Sequence, residues 1–301
     1  MSDSVFRTSD TAFGRHHAGQ LAHWDRVASM NPSMMANHYK QRIQATYRFN
    51  IAPNIQVLEL GCGAGDLLAS LNPRDAVGID ISPEMIRRAR EKYPNLRFEV
   101  ADAHDFVTEE RFDFVILSDL IGNLFDVQGV LEKTKNHCKS DGRIIMNFFS
   151  HLWEKPLEWA GALGLARPTP AQNWLTPEDV INLLYLAGFE PIKQWTEFIF
   201  PLPIPIIEPF CNRYLAKIWP SYTLCLANFI VARPLPVPRP AVGIESPSVS
   251  IVIAARNEAG NVPYFFTRLP RMGSHSELVI VEGHSSDDTY STAEKYIRMH
   301  P

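Results

Sequence analysis

Three glycines at alternate positions, Gly61, Gly63 and Gly65, lie between an apolar run, VLEL, and the helical stretch DLLASL. Glycine at that spacing lets the backbone turn tightly and bring its N–H groups against a bound molecule, beside the positive end of the next helix. Cys62 sits inside the loop, and a carboxylate, Glu59, stands two residues before the first glycine. A dinucleotide loop wants G-x-G-x-x-G, whose third glycine packs helix on strand. Here the third glycine comes early, as G-C-G-A-G. At its position Glu59 would repel a pyrophosphate but could pair with a cationic amine.

That preference points to S-adenosylmethionine rather than NAD or FAD, and a second acid agrees with it. AVGIDIS reads as a strand ending in Asp80 and Ile81, and a carboxylate ~20 residues past the glycines can accept both ribose hydroxyls. The plainer reading of Asp80 is a cap approaching the helix PEMIRRAREKY, which Ser82 caps, Pro83 starts and Glu84 supports. The stretch from Val57 to Leu68 resembles motif I of the class I methyltransferases. The resemblance implies an S-adenosylmethionine cofactor with S-adenosylhomocysteine as product. It also implies that Asp102 reaches the adenine amino group and that Ala103 leaves room for the ring. In that family the region before the loop closes over the cofactor as a lid, which makes His16, His17, His23 and above all Tyr39 candidate contacts. Their plainer reading is surface and helix packing.

The strand FDFVILS presents Ser118 and Asp119 at its carboxyl end, where open α/β sheets bind ligands. Both therefore face cofactor or acceptor, although Asp119 could equally cap a helix. Methyl transfer from a sulfonium needs donor and acceptor positioned and water excluded. A sugar hydroxyl as acceptor also needs a general base. Asp119, His104 and His151 are the candidates, and no spacing selects among them. No cluster has metal-ligand spacing, so no metal is expected in the methyl-transfer site.

The elements that must hold these residues alternate strand and helix, which is the pattern of a doubly wound, Rossmann-like α/β sheet. Residues 1–50 read as the helical lid and 51–233 as the methyltransferase domain, closing with the strand TLCLANFIVARP in a reversed hairpin. A helix is expected around Asp126 to His137, then a turn at SDGR, the strand RIIMNFF, and a capped helix from Thr176 to Gly188. Two apolar, proline-punctuated insertions, 151–173 and 198–220, interrupt the pattern. Such segments form lids or binding walls, here for a hydrophobic or lipid-linked acceptor or a membrane face. Packing against a neighbouring domain explains them as well.

Composition bounds the reading further. The chain has 301 residues, 46% hydrophobic and 21% charged, and a net charge of −4 from 29 Lys+Arg against 33 Asp+Glu. That balance offers no electrostatic footprint for nucleic acid. Four cysteines without C-x-x-C pairs fit a reducing compartment. No apolar run approaches the ~20 residues of a membrane helix. A cytoplasmic protein is expected, one that could work at the inner face of the membrane.

After a proline-rich linker, 234–247, the pattern restarts. SVSIVIAARNEAGNV and ELVIVEGHSSDDTY are two further strands that each end in polar and acidic residues. Residues 248–301 resemble the opening of family 2 glycosyltransferases of the GT-A fold. The resemblance implies that Glu258, Glu282 and Asp287 line a nucleotide-sugar pocket. The later acids and the acceptor half of that family have no counterpart here, so an incomplete, inactive glycosyltransferase segment is expected. LELGCGAGDLL, DVQGVL, NWLTPEDVINLLYLAGFE, NRYLAKIWP, IVARP and VIVEGHSSDDT together resemble a bacterial methyltransferase–glycosyltransferase fusion family. The implied activity is O-methylation of a glycan or lipid-linked saccharide. The competing readings are a binding scaffold serving the glycosyltransferase and a methyltransferase for a small hydrophobic acceptor such as a quinone.

Overall fold

The computed structural model describes residues 11–30, 34–162, 172–200, 204–236, 247–270 and 272–300. Part of each insertion (163–171 and 201–203) and most of the expected linker (237–246) lie outside the described residues. The chain divides into two compact units, Met1–Pro236 and Val237–Pro301.

The first unit is built on a seven-stranded sheet. Its strands are β1 (Gln56–Leu60), β2 (Asp75–Asp80), β3 (Arg97–Val100), β4 (Phe112–Ser118), β5 (Cys138–Phe149), β6 (Phe189–Glu197) and β7 (Ala227–Pro234). They lie in the order β3-β2-β1-β4-β5-β7-β6. The first five strands run parallel, and β7 is antiparallel to both β5 and β6. The strand order reverses beside β1, between β1 and β4, so the carboxyl ends of β1, β2 and β4 open onto one crevice. Parallel strands covered on both faces read as near-continuous apolar runs, and β1 and β4 do: Val57, Leu58, Leu60, Val115, Ile116 and Leu117 are all buried.

Helices cover both faces. On one, α5 (Val127–His137) and α7 (Pro177–Leu186) seat Val130, Leu131, Val180 and Leu184 against Val115, Leu117, Ile144 and Met146. On the other, α2 (Met34–Asn50), α3 (Asp66–Ser70) and α4 (Pro83–Lys92) bring Ile43, Tyr47, Leu68 and Ile86 against Val57, Ile116 and Ile145. α1 (Ala12–Ser29) precedes them, so the expected helical lid is two helices. Local chemistry sets the ends. Thr11 accepts from the Gly14 N–H, Ser82 from Met85, and Asp126 from Gly129. At α7, Thr176 and Asp179 form a reciprocal capping box.

Two expectations need correction, and one strand lies outside the sequence reading. The turn expected at SDGR is absorbed into β5, because a register shift between Phe112 and Phe114 on β4 lets Cys138 and Arg143 both pair while the extra residues bulge. FEPIKQWTE, which follows the expected helix end at Gly188 and for which the sequence predicts no element, is strand β6, where Trp195 stacks on Phe229 with ring centroids 5.0 Å apart. TLCL precedes rather than opens the last strand, as a short 3-10 turn.

The glycine loop is strained for any other residue. Gly61, Gly63 and Gly65 have φ of +74°, +52° and +77°. A Cβ on Gly65 would stand 2.6 Å from Phe98 Cζ. Gly65→Ala is therefore expected to cost about 2–4 kcal/mol from left-handed strain and overpacking, read as a melting temperature lower by roughly 5–10 °C.

The second unit has two parallel strands, β8 (Val249–Ala255) and β9 (Ser276–Glu282), with α9 (Val262–Thr267) between them and α10 (Thr289–Met299) after. The restart read from the sequence is thus a β-α-β-α piece. At the carboxyl end of its strands, Asp287 accepts from the Ala259 N–H at 3.2 Å and from the Thr289 hydroxyl at 2.5 Å. Glu282 accepts from the Ser285 N–H at 2.5 Å, and the Glu258 N–H donates to Thr289 at 2.7 Å.

Candidate active site

A cavity of about 430 Å³ opens at the carboxyl ends of β1, β2 and β4, roofed by α1 and α2. Glu59, Gly61, Cys62, Gly63, Asp80 and Ile81 line it, with Asp102, Ala103, His104, Ser118, Asp119 and Tyr39. Of the residues singled out in the first unit, Gly65 is not in the lining and instead turns the loop into α3. His151 is not in it either: it lies exposed in the turn after β5.

Each wall has its own polar character. Asp80 accepts from the Gly63 N–H at 2.8 Å and the Ser82 N–H at 2.9 Å, so it braces the glycine loop while facing the cavity. Burial raises its pKa, and those two hydrogen bonds offset part of the rise. Glu59 is buried, its Oε2 has no hydrogen-bond partner, and burial raises its pKa well above the usual range. An orphaned buried carboxyl oxygen is costly unless a ligand's positive group compensates it. A Cβ on Gly63 would meet nothing within 4 Å, so the backbone there is open to close approach.

At the other end Asp102 accepts from the His104 N–H at 2.9 Å and from His104 Nδ1 at 2.6 Å, and stands 3.3 Å from His17 Nε2. Burial alone would raise its pKa, but the His104 hydrogen bonds outweigh burial and hold it below the usual value. His104 Nε2 in turn accepts from the Asp126 N–H at 3.2 Å. With both ring nitrogens engaged, His104 has no free lone pair for a substrate proton, which corrects its reading as a general base. Phe13 packs edge-on to His104 at 5.3 Å and to Phe125 at 5.5 Å, and Asp25 meets Ser82 at 2.5 Å, so α1 is tied down over this end.

Asp119 is the third acid, with φ +52° at the end of β4. Its Oδ1 accepts from Tyr39 Oη at 2.9 Å and Asn147 Nδ2 at 2.6 Å. Oδ2 has no hydrogen bond among the described residues. Asn147 Oδ1 accepts from Tyr47 Oη at 2.8 Å and Ser118 Oγ at 2.9 Å, which fixes which way its amide points. Burial pushes Asp119 up to about 7, against the opposing pull of Tyr39 and Asn147. Tyr39 and Tyr47 are raised well above 10 by burial and stay neutral donors.

The sequence reading missed Asn147 and Tyr47, although a lone asparagine inside the apolar run IIMNFF was a usable signal. It also missed Phe13, Gln20, Trp24 and Phe149 in the lining. Because the Tyr39 hydrogen bond lowers the Asp119 pKa, Tyr39→Phe is expected to move the acid limb of the pH–rate profile upward. A fall of roughly tenfold in kcat at pH 7 should accompany it.

The family described as "Methyltransferase domain" matches residues 51–184. This stretch, somewhat less than half of the chain, resembles a methyltransferase domain. The malonyl-[acyl-carrier protein] O-methyltransferase of Bacillus cereus is 27% identical over 150 residues, 47% of this chain and 54% of that protein. The ubiquinone biosynthesis O-methyltransferase of Bradyrhizobium diazoefficiens is 22% identical over 179 residues, 55% of this chain and 71% of that protein. The chain thus spans about half the length of the first of these relatives. Among solved structures, the DhpI complex with S-adenosylhomocysteine shares the fold at a TM-score of 0.51 and 16% identity, over 73% of this chain and 98% of that one. S-adenosylmethionine, with S-adenosylhomocysteine as product, is the cofactor expected of such a domain. The unpartnered Glu59 oxygen and the open backbone at Gly63 fit that group.

Proposed function

We propose that this protein methylates a hydroxyl of a glycan or lipid-linked saccharide, with Asp119 as the general base. The observation that carries the reading is Asp119 itself: a buried carboxyl held by Tyr39 and Asn147, in the cavity, and brought to about 7. A base poised near the working pH combines a usable carboxylate population with a driving force for proton removal. S-adenosylmethionine, when bound, supplies an electrophilic methyl on a sulfonium. Glu59 would hold its amino group, Asp80 its ribose hydroxyls, and Asp102 its adenine, which Ala103 leaves room for. Asp119 takes the acceptor's proton as the oxygen gains the methyl, and Tyr39 and Asn147 steady the carboxylate until then. α1 and α2 roof the cavity, so that bound donor and acceptor would displace its water.

The saccharide part of the reading rests on the second unit, where β9 ends in Glu282, and Glu258 and Asp287 follow β8 and β9 respectively, and on the resemblance of this stretch to nucleotide-sugar enzymes. The names of the two curated relatives span a carrier-bound acid and quinone synthesis, so acceptors must be compared directly. The protein should be given labelled S-adenosylmethionine and, in parallel, polyprenyl-phosphate-linked saccharides, free oligosaccharides and quinols. Label on a sugar oxygen is the expected result. Label on quinol alone would replace the acceptor class. Tight S-adenosylhomocysteine binding with no turnover on any of them would make the domain a scaffold.

A further inference from the structure

Helix α8 (Ile207–Arg213), in the second insertion, is inside out. Its inward residues are polar: Glu208 and Asn212, one turn apart, are 8% and 3% exposed. Asn212 Nδ2 donates to Glu208 Oε1 at 2.8 Å and to the Phe200 carbonyl at 2.9 Å, while the Phe200 N–H donates to Asn212 Oδ1 at 2.9 Å. His38 and Arg42 of α2 stand 3.5 and 3.4 Å from the same Glu208 oxygen. The outward residues are apolar. Ile206, Phe210 and Tyr214, four residues apart each, are 83%, 55% and 53% exposed, and Ile218 and Trp219 continue the face at 55% and 77%. A soluble helix places these classes the other way round, and an apolar face of this extent marks a contact surface.

Charge selects what covers it. Between residues 204 and 224 the charged residues are Glu208, Arg213 and Lys217. The acid is turned inward onto Arg42, whereas both cations are exposed. Where Trp153 ties the first insertion to the Leu224 carbonyl, the nearby acids Glu154 and Glu158 are each paired with Lys155. Neither Arg213 nor Lys217 is in an ion pair within 4 Å among the described residues, and the half-buried Glu197 is the acid that Lys217 feels. The exposed face is therefore Ile, Phe, Tyr and Trp edged by these two cations. That is the composition of a segment lying in an anionic lipid interface, with aromatic rings at headgroup depth and cations on the phosphates. Seven residues of helix are far too short to cross the ~30 Å hydrocarbon core, so the segment would lie in the plane.

We infer that the face formed by Ile206, Phe210, Tyr214, Ile218 and Trp219, with Arg213 and Lys217, docks this protein on an anionic phospholipid surface. It is set beside the site: Phe198, at the root of the same insertion, packs edge-on to Tyr39 with centroids 5.9 Å apart. The inference stands apart from the methyl-transfer reading, since vesicle binding needs neither cofactor nor acceptor.

The full chain should be sedimented with vesicles of phosphatidylcholine alone and of phosphatidylcholine with phosphatidylglycerol in equal parts. Partition is expected to favour the anionic vesicles by roughly tenfold or more at low salt and to weaken as salt rises. Phe210→Ser/Trp219→Ser should lose at least tenfold on both kinds, and Arg213→Glu/Lys217→Glu should lose the preference for the anionic kind. An unchanged stabilisation by S-adenosylhomocysteine certifies that each variant is folded. Wild type that sediments with neither vesicle, or variants that match it, would overturn the inference. So would a dimer in light scattering that Phe210→Ser/Trp219→Ser dissociates, which assigns the face to a second copy.

Discussion

Asp119→Asn is expected to lower kcat by about 10²–10⁴, to leave stabilisation by S-adenosylhomocysteine intact, and to raise the melting temperature at pH 8. The three effects share one cause. Only the carboxylate can take a proton, so the wild-type rate should fall about tenfold for each unit of pH below the Asp119 pKa of about 7. Asparagine keeps an oxygen for Tyr39 and Asn147 and tolerates the φ of +52°, but cannot act as a base. Stability moves the other way. The folded pKa lies above the ~3.9 of an unfolded aspartate, so between about pH 4 and pH 7 the native state holds a proton that the unfolded chain has released. Stability therefore falls as pH rises through that window, and the whole penalty stands above pH 7. A three-unit shift is ~4 kcal/mol in full. Screening in a cavity open to water reduces this to about 1–2 kcal/mol, or roughly 2–6 °C. The gain should be present at pH 8 and absent at pH 3. Wild-type turnover in Asp119→Asn would end the general-base reading.

How far the site could be read along the chain depends on the range of the interactions that form it. The glycine loop is a local device: alternate glycines permit left-handed backbone, and Gly61, Gly63 and Gly65 adopt it. Asp80 closes on Gly63 across only 17 residues, with Ser82 capping the next helix in the same turn. By contrast, Tyr39 reaches Asp119 across 80 residues, and Tyr47 reaches Asn147 across 100. No spacing rule covers such pairs, because they exist only once α2 is laid over β4 and β5. The same holds for His104, whose Asp126 partner removes it from the bases. Strand β6 was hidden differently. Its Pro191 and its exposed residues break alternation, and pairing with β7 overrides that pattern. The inverted face of α8 also needs three dimensions, since only the contacts of Glu208 with α2 reveal which side is inward.

Asp80→Ala should abolish nearly all of the thermal response to S-adenosylhomocysteine. At 100 times its dissociation constant a ligand adds ~2.7 kcal/mol, which for a domain of this size is a rise of roughly 5–10 °C. Hydrogen bonds to a charged group contribute about 1.5–3 kcal/mol each, so losing the two that Asp80 would make to ribose weakens binding by about 10²–10⁴. The same ligand concentration then equals or falls below the new dissociation constant, and the rise shrinks to about 1 °C. Alanine also releases the Gly63 and Ser82 N–H groups that Asp80 holds at 2.8 and 2.9 Å. The ligand-free melting temperature should therefore drop as well, and the two losses are separable because one depends on ligand concentration and the other does not. A wild-type rise that survives in Asp80→Ala would move the ribose to another wall of the cavity. No rise in either protein would remove the cofactor from this crevice, leaving the orphaned oxygen of Glu59 without its counter-charge.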